Sequence, residues 1–308
     1  MPKKKACLVF AGRSNVDLAR KIAKTPGIRL GKIEIETFPD GEVGARILES
    51  VHGEDVFALQ TIARCPNLYL MELLIMVDAL KRAGARTVTA VVPYFGYSRQ
   101  DRRACAGDPI SAKLVAHLLE AAGVSKVITI DLHSPQMEGF FTVPLVHLSG
   151  DDLLAEAIKK EGWKKSVIVG PDLGSVWRAR AIGERLGAVD GFIDKRRMSA
   201  KRVEGHTLIG DVKGQNVVLV DDLCSTGQTL VSAASVCRRS GSKKIFAAVT
   251  HVPFSKEGLN SDFEACAIEK MVVTDTVPLP STGMLKKVKV ISVAPLFARA
   301  ILQSFQSI

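Results

Sequence analysis

No run of about 18 uninterrupted apolar residues occurs anywhere in this 308-residue chain, so the sequence offers no membrane-spanning helix. The opening stretch, MPKKKACLVFAG, has a basic run but too few apolar residues after it for a signal peptide. The expectation is a cytoplasmic protein with no membrane partner. The six cysteines (Cys7, Cys65, Cys105, Cys224, Cys237 and Cys266) form no C-x-x-C pair and lie far apart. That spacing argues for reduced thiols rather than a disulfide framework or a zinc site. Aromatic residues are scarce, at 6%, and there is neither a glycine-aromatic RNA-binding signature nor a zinc-finger spacing. The net charge of +10 then has two readings. One is a nucleic-acid binder without a recognisable motif, the other a set of basic pockets for small, highly phosphorylated substrates, and charge alone does not choose.

What is present is core-forming material: 47% hydrophobic and 24% charged residues, in a chain long enough for two domains. Short β-branched runs alternate with helix-like stretches. KACLVFAG, KIEIETF, DVFALQ, TVTAVVPY, KVITIDLH, SVIVGPD, NVVLVDD, KIFAAVTH, KMVVTDT and VKVISV read as strands. Their apolar character, continuous rather than alternating, predicts strands buried on both faces of a parallel sheet. Between them Leu70, Leu73, Leu74 and Val77 recur at helical spacing, as do Leu114, Val115, Leu118 and Leu119, and Leu230, Ala233, Ala234 and Cys237. Asp108 before Pro109 is expected to cap the second of these helices. This alternation means α/β layers, and a boundary near residues 143–150 divides the strands into two similar halves.

In open α/β sheets, ligands sit beyond the carboxyl ends of the strands. The strand VVLVDD ends in Asp221 and Asp222, and Ser225, Thr226, Gly227, Gln228 and Thr229 open the next helix. Backbone N–H groups at that helix start, with the three hydroxyls, form a phosphate cradle, and Gly227 lets the backbone approach closely. Carboxylates do not bind phosphate, but they accept hydrogen bonds from vicinal sugar hydroxyls or share a metal with them. A sugar phosphate satisfies both halves of the motif. The plainer alternative is a capped helix after a strand with exposed acids.

The stretch Asp221–Thr229 resembles the phosphoribosyl-binding loop of the type I phosphoribosyltransferase fold. The rest of the chain is similar to the ribose-phosphate diphosphokinase (phosphoribosyl pyrophosphate synthetase) family, nearly end to end. The matching segments include FPDGE, VVPYFGYSRQDRR, DPISAKLVAHLLEAAGV, ITIDLHSPQMEGFF, IDKRR and VTDTVPL. The resemblance implies two phosphoribosyltransferase-like domains, each a mostly parallel sheet flanked by helices. They are expected over 1–145, on the ATP side, and 146–293, carrying the ribose 5-phosphate loop, with about 294–308 packing back on the first. It also implies transfer of the β,γ-diphosphoryl group of MgATP to the 1-hydroxyl of ribose 5-phosphate. Under the resemblance His133 and Asp172 ligate Mg²⁺, although histidine is an unusual partner for an ion that prefers oxygen. From spacing alone His133 reads as a hydrogen-bonded strand-end residue. Arg99, Gln100 and Asp101 are implied to contact ATP, where an arginine fork suits phosphate. Phe38, Asp40 and Glu42, from a neighbouring subunit, are implied to serve adenine and ribose, in a segment whose Pro and Gly also read as a plain turn. Lys195 and Arg197 are implied to close on the reacting phosphates, where cations stabilise developing charge. On its own such a basic run reads as a solvated face.

Several positions depart from the family pattern. Ser225 stands where a third acid is usual, and the bulkier Gln228 where a small residue is usual. His52, in SVHG, replaces an arginine, and ACAGD follows RQDRR in place of a Lys-Ser-Arg stretch. Both changes fall at the family's regulatory phosphate site, so the expectation is weak dependence on inorganic phosphate and altered inhibition by ADP. The resemblance implies a homo-oligomer, a hexamer, with a dimer or tetramer left open by the lost arginines, and no nucleic-acid partner. Two rival readings weigh less. A true phosphoribosyltransferase has no need of FPDGE, YSRQD or IDKRR, and a non-catalytic regulatory paralogue should have lost the lysine or the metal positions.

Overall fold

The computed structural model describes residues 6–197, 204–253, 261–279 and 286–306, without the side chains of 195–197, 204–206 and 261–262. Two compact units divide the chain. The first comprises Met1–Leu148, Thr276–Pro278 and Ser292–Ile308; the second comprises Ser149–Asp275 and Leu279–Ile291.

In the first unit, β1 (Cys7–Ala11), β2 (Ile28–Leu30), β5 (Asp55–Leu59), β6 (Thr87–Val92), β7 (Lys126–Ile130) and β8 (Leu145–Leu148) form one sheet in the order β2-β1-β5-β6-β7-β8. Every pairing in it is parallel. Its helices are α1 (Val16–Ile22), α2 (Pro66–Arg82), α3 (Ser111–Ala121) and the last of the chain, α8 (Ala294–Gln306). Leu8, Phe10, Val56, Ala58, Val88 and Ala90 pack with Leu73, Met76 and Val77 of α2 and Val115 and Leu119 of α3. The intervening residues Val9, Phe57 and Val91 are buried as well. Since successive strand residues face opposite ways, the sheet is covered on both sides. On the side away from α2, α1 and α8 pack on β1 and on each other.

KIEIETF does not join this sheet, contrary to the expectation of one more doubly buried strand. It forms β3 (Ile33–Thr37), paired antiparallel with β4 (Val43–Ile47) as a separate two-stranded ribbon. Ile33, Ile35, Ala45 and Ile47 rest on the core, while Glu34 and Glu36 face solvent. The alternation of isoleucine and glutamate fits a ribbon wet on one face and excludes a strand covered on both. The expected cap of α3 is also corrected. Asp108 accepts from the backbone N–H of Cys105 at 2.7 Å and closes its own turn, and the helix starts only at Ser111, after Ile110, whose ψ of 80° is not helical.

In the second unit, β9 (Val167–Gly170), β10 (Asp190–Arg197), β11 (Glu204–Ile209), β12 (Val217–Leu223), β13 (Ile245–His251), β14 (Ile268–Thr274) and β15 (Val288–Ile291) run in the order β11-β10-β9-β12-β13-β14-β15. All pairings are parallel except β10 with β11. Val169, Leu219, Ala247 and Val273 pack on one face with Leu230, Ala233 and Cys237 of α6 (Gln228–Arg239) and Phe263 of α7 (Ser261–Ala265). Ile168, Val218, Val220, Phe246 and Val272 pack on the other with Leu154 and Ile158 of α4 (Asp151–Lys160) and Ile182 of α5 (Val176–Leu186). There the Trp163 and Phe246 rings stack with centroids 4.3 Å apart. No described helix is long and apolar enough to cross a membrane.

Close packing at the end of β6 gives a stability test. A Cβ on Gly96 would lie 2.4 Å from the Ile62 side chain and 2.6 Å from its carbonyl oxygen, which is backbone and has no rotamer to yield. Gly96→Ala should therefore destabilise the protein by about 1–3 kcal/mol. A lowered urea midpoint with an unchanged slope checks this, and an unaltered midpoint refutes it.

Candidate active site

The strand order of the second unit reverses between β9 and β12: from β9 the chain passes first to β10 on one side and then to β12 on the other. A crevice opens at such a reversal, beyond the carboxyl ends of the two strands. Asp172 follows β9, and Asp221 and Asp222 end β12. Asp172 caps the short 3-10 turn Leu173–Ser175 reciprocally. Its carboxylate accepts from the Ser175 N–H at 3.2 Å, and its own N–H donates to the Ser175 hydroxyl at 3.2 Å. The D-x-x-S spacing that makes this box is legible in the sequence, and Ser175 joins the site residues through it.

Asp221 is buried and accepts from the Asp222 N–H at 2.9 Å. Burial, and then the adjacent Asp222 and Asp172 carboxylates, push the Asp221 carboxyl well above the usual carboxylate range. Three acids are thus crowded where the strands end. The loop after them is anchored inward by Cys224, whose N–H donates to the His251 carbonyl at 2.8 Å. Burial, with Asp221 nearby, raises its thiol to about 12, so it acts as a small apolar anchor rather than a nucleophile. Gly227 turns the chain into α6 with φ of 79°, a left-handed conformation in which Gln228 points its bulk to solvent at the first helical position. No side chain of Gly227 exists to cap the helix, so the first-turn N–H groups stand at the loop beside Ser225, Thr226 and Thr229. Among the described residues no cluster of three His, Cys, Asp or Glu side chains is placed to hold a metal by itself. An ion such as Mg²⁺, which keeps several waters and shares ligands with substrate phosphates, does not require one.

In the first unit the reversal lies between β1 and β5, and there the crevice is filled. Glu72, fully buried on α2, accepts from the Arg13 N–H and Nε at 2.7 Å each and from Gln60 Nε2 at 2.8 Å. Gly12 lies so close that a Cβ on it would meet Gln60 Oε1 at 2.4 Å. The sequence-predicted residues sit instead past β6 and β7 and on the β3–β4 ribbon. Arg99 is exposed, in a loop whose Gln100 accepts from the Ser111 hydroxyl at 2.5 Å and from the Ala112 N–H at 3.2 Å, tying it to α3. Asp101 follows, its side chain 7% exposed and paired with Arg102 at 3.1 Å. Past β7, His133 is exposed, three residues beyond the strand. The adjacent Leu132 N–H donates to His147 Nε2 at 2.9 Å, and His147 Nδ1 lies 2.8 Å from Glu138. Nothing in the local sequence pairs His147 with this loop. Arg64, Tyr97 and Asp131, in the loops after β5, β6 and β7, have φ of 60°, 64° and 44°, a left-handed region that costs non-glycine residues about 1–3 kcal/mol.

On the ribbon, the Phe38 N–H donates to the Glu42 carbonyl and the Gly41 N–H to the Phe38 carbonyl, both at 2.8 Å, which makes FPDGE a closed hairpin loop. The Phe38 ring covers Gly44, and Asp40 and Glu42 are exposed. Lys195 and Arg197 lie on β10, their backbones opposite His206 and Glu204 of β11. Their side chains, and the basic segment 198–203 that joins the two strands, lie outside the described residues.

Comparison with known proteins agrees across both units. A family model described as the N-terminal domain of ribose phosphate pyrophosphokinase matches residues 7–123, and one described as the phosphoribosyl synthetase-associated domain matches residues 188–307. A ribose-phosphate pyrophosphokinase from Caldanaerobacter subterraneus is 49% identical over 96% of this chain and 93% of its own length. That of Bacillus caldolyticus is 44% identical over 97% and 94%. The crystal structure of phosphoribosylpyrophosphate synthetase from Mycobacterium smegmatis superposes with a TM-score of 0.92 at 36% identity, covering 98% of this chain and 100% of that one.

The crowded carboxylates predict a stability effect of definite sign. Because the folded-state pKa of Asp221 is raised, the folded protein still holds its proton where the unfolded chain has released it. The contribution of this site to stability therefore falls as pH rises from the usual carboxylate value toward the folded-state one. Asp221→Asn should raise the unfolding temperature at pH 7 in metal-free buffer, by about 2–4 °C for each kcal/mol of repulsion relieved. A fall, or no change, would show that the three acids do not strain the fold.

Proposed function

The chain belongs to the ribose-phosphate pyrophosphokinase family, and from that premise we propose that it transfers the diphosphoryl group of ATP to the 1-hydroxyl of ribose 5-phosphate. The products are phosphoribosyl pyrophosphate and AMP, and the reaction supplies nucleotide biosynthesis. The observation that carries the assignment is the pairing, at the β9–β12 reversal, of a group of three acids, one of them buried, with a Gly227-turned helix start. The N–H groups of that helix start and the hydroxyls of Ser225, Thr226 and Thr229 receive the 5-phosphate. Asp221 and Asp222 accept hydrogen bonds from the 2- and 3-hydroxyls and so orient the sugar with its 1-hydroxyl presented. Gln228 is exposed, so its bulk points away from the loop.

Residues 1–145 take ATP and residues 146–293 take the sugar phosphate. Arg99, Gln100 and Asp101 bind the nucleotide, and the tie from Gln100 to α3 holds their loop in place. Phe38 offers a ring face for adenine, and Asp40 and Glu42 offer acceptors for its amine and for ribose hydroxyls. The acids fit a divalent cation: burial, and then the Asp222 and Asp172 carboxylates, drive Asp221 toward its protonated form, and a cation would offset both. His133 and Asp172 would hold Mg²⁺, which supplies charge neutralisation on the ATP phosphates when bound. Lys195 and Arg197 stabilise the charge that builds on the phosphate oxygens and on departing AMP as the sugar hydroxyl attacks in line. No covalent enzyme intermediate is required.

The protein acts in the cytoplasm as a homo-oligomer: a hexamer in the family's manner, or a dimer or tetramer. In the latter case the altered regulatory positions are the cause. His52 is exposed, and its ring rests against Gly84, where a Cβ would meet Nδ1 at 2.6 Å. With histidine there and ACAGD after Arg103, inorganic phosphate meets two fewer arginines.

Phosphorus NMR of the protein with Mg²⁺, ATP and ribose 5-phosphate should show AMP and a sugar diphosphate with no ADP; intact ATP would sink the assignment. Rates with and without added inorganic phosphate should agree within about twofold, and strong saturable activation would refute the degraded regulatory site. Lys195→Ala should lower kcat by about 10³-fold, with KM for ribose 5-phosphate little changed. A drop below tenfold would remove Lys195 from the reaction.

A further inference from the structure

We propose that His147, together with Glu138, is a positioning residue that sets the loop carrying His133; the inference rests on the functional reading above. The ring makes two hydrogen bonds that fix its chemistry. The Leu132 N–H donates to Nε2 at 2.9 Å, so that nitrogen carries no proton. The proton is then on Nδ1, which donates to Glu138 Oε1 at 2.8 Å. The imidazole thus bridges the last strand of the first sheet to the residue immediately before His133, and the carboxylate of Glu138 holds it in that tautomer. His147 is itself fixed by its place on β8, four side chains of which are half-buried, and the Asp131 N–H donates to the carbonyl of its neighbour Leu148 at 3.0 Å.

The loop needs such a clamp. Asp131 sits at φ of 44°, a conformation that persists only where surrounding bonds over-determine it. Without the Leu132 tie, relaxation of Asp131 toward ordinary φ would rotate the following two peptides and carry His133 with them. A ligand-bearing loop of this kind is set by the partners behind it as much as by the ligand, and loss of such a partner typically costs about 10–100-fold in metal affinity or activity. His147 lies 15 residues from Leu132 along the chain, and only the adjacency of β7 and β8 brings them together.

The test compares wild type, His147→Ala and His147→Gln. A glutamine can offer a carbonyl oxygen to Leu132 and an amide proton to Glu138, so it is the rescuing variant. His147→Ala is expected to lower kcat about 10–100-fold and to raise the Mg²⁺ concentration for half-maximal rate, with KM for ribose 5-phosphate unchanged, and His147→Gln to recover most of the loss. A second readout is Mn²⁺ binding, followed by electron paramagnetic resonance with a non-hydrolysable ATP analogue present, in which His147→Ala should bind about 10-fold more weakly. Equal kcat and equal Mn²⁺ affinity in wild type and His147→Ala would overturn the proposal. So would a uniform loss in every parameter that tracks a lowered unfolding temperature, since that marks a stability contact only. Wild-type protein that forms no sugar diphosphate would sink the functional reading instead; the Mn²⁺ comparison then decides the proposal alone, and equal affinities overturn it.

Discussion

Strands hydrogen-bonded in parallel and covered by helices on both faces leave only their ends near solvent, and the rest of this molecule is arranged around that constraint. In the second unit the two faces of the sheet are filled by alternate residues of the same strands, Val169 and Leu219 to one side and Ile168 and Val218 to the other. Polar chemistry has nowhere to go but the carboxyl ends, and the strand-order reversal between β9 and β12 decides which ends stand apart enough to receive a ligand. The first unit obeys the same rule with the opposite outcome. Its own reversal is occupied by buried Gln60 and Glu72, with exposed Arg13 paired to that carboxylate, and the residues the sequence singles out lie instead past β6 and β7.

The open crevice is kept open at a cost in stability. Three carboxylates grouped at strand ends, one of them buried, repel each other in a medium that screens poorly. A protein selected for stability alone would replace one with an amide. The backbone tells the same story in the first unit, where Arg64, Tyr97 and Asp131 all hold left-handed conformations in loops after neighbouring strands. Strain and repulsion both concentrate where substrates are expected, and the doubly covered sheets are what can bear them.

The elements that the sequence announced most clearly were those with continuous apolar runs: β5, β6, β12 and β13 are recognisable from DVFALQ, TVTAVVPY, NVVLVDD and KIFAAVTH because doubly buried strands need such runs. Strands with polar or short sequences were silent. β2 has three residues, β4 carries Gly44 and Arg46, and β11 is paired only by a ribbon to β10, so none shows a pattern of its own. KIEIETF announces a strand, but its alternation of isoleucine and glutamate fits a ribbon wet on one face and not the doubly buried strand expected of it. Asp108 had the right chemistry for a cap and used it two residues early. In the site, Asp172, Asp221 and Asp222 were legible as strand-end acids, yet their mutual crowding depends on the adjacency of β9 and β12, which no local segment encodes. His147 and Glu72 escaped for the same reason, since their meaning lies in partners far along the chain.

The path of the chain also has a consequence for how the protein is made. Helix α8, with Phe297 and Ile301 fully buried, belongs to the first unit and packs on α1, although all of the second unit is synthesised before it. The first sheet emerges from the ribosome early but lacks one of its covering helices until the whole second unit has been made. During that interval the α1 side of β1 is exposed apolar surface. A chain cut short before α8 would lack a covering helix in the unit made first, so damage after the second unit would be felt in the first.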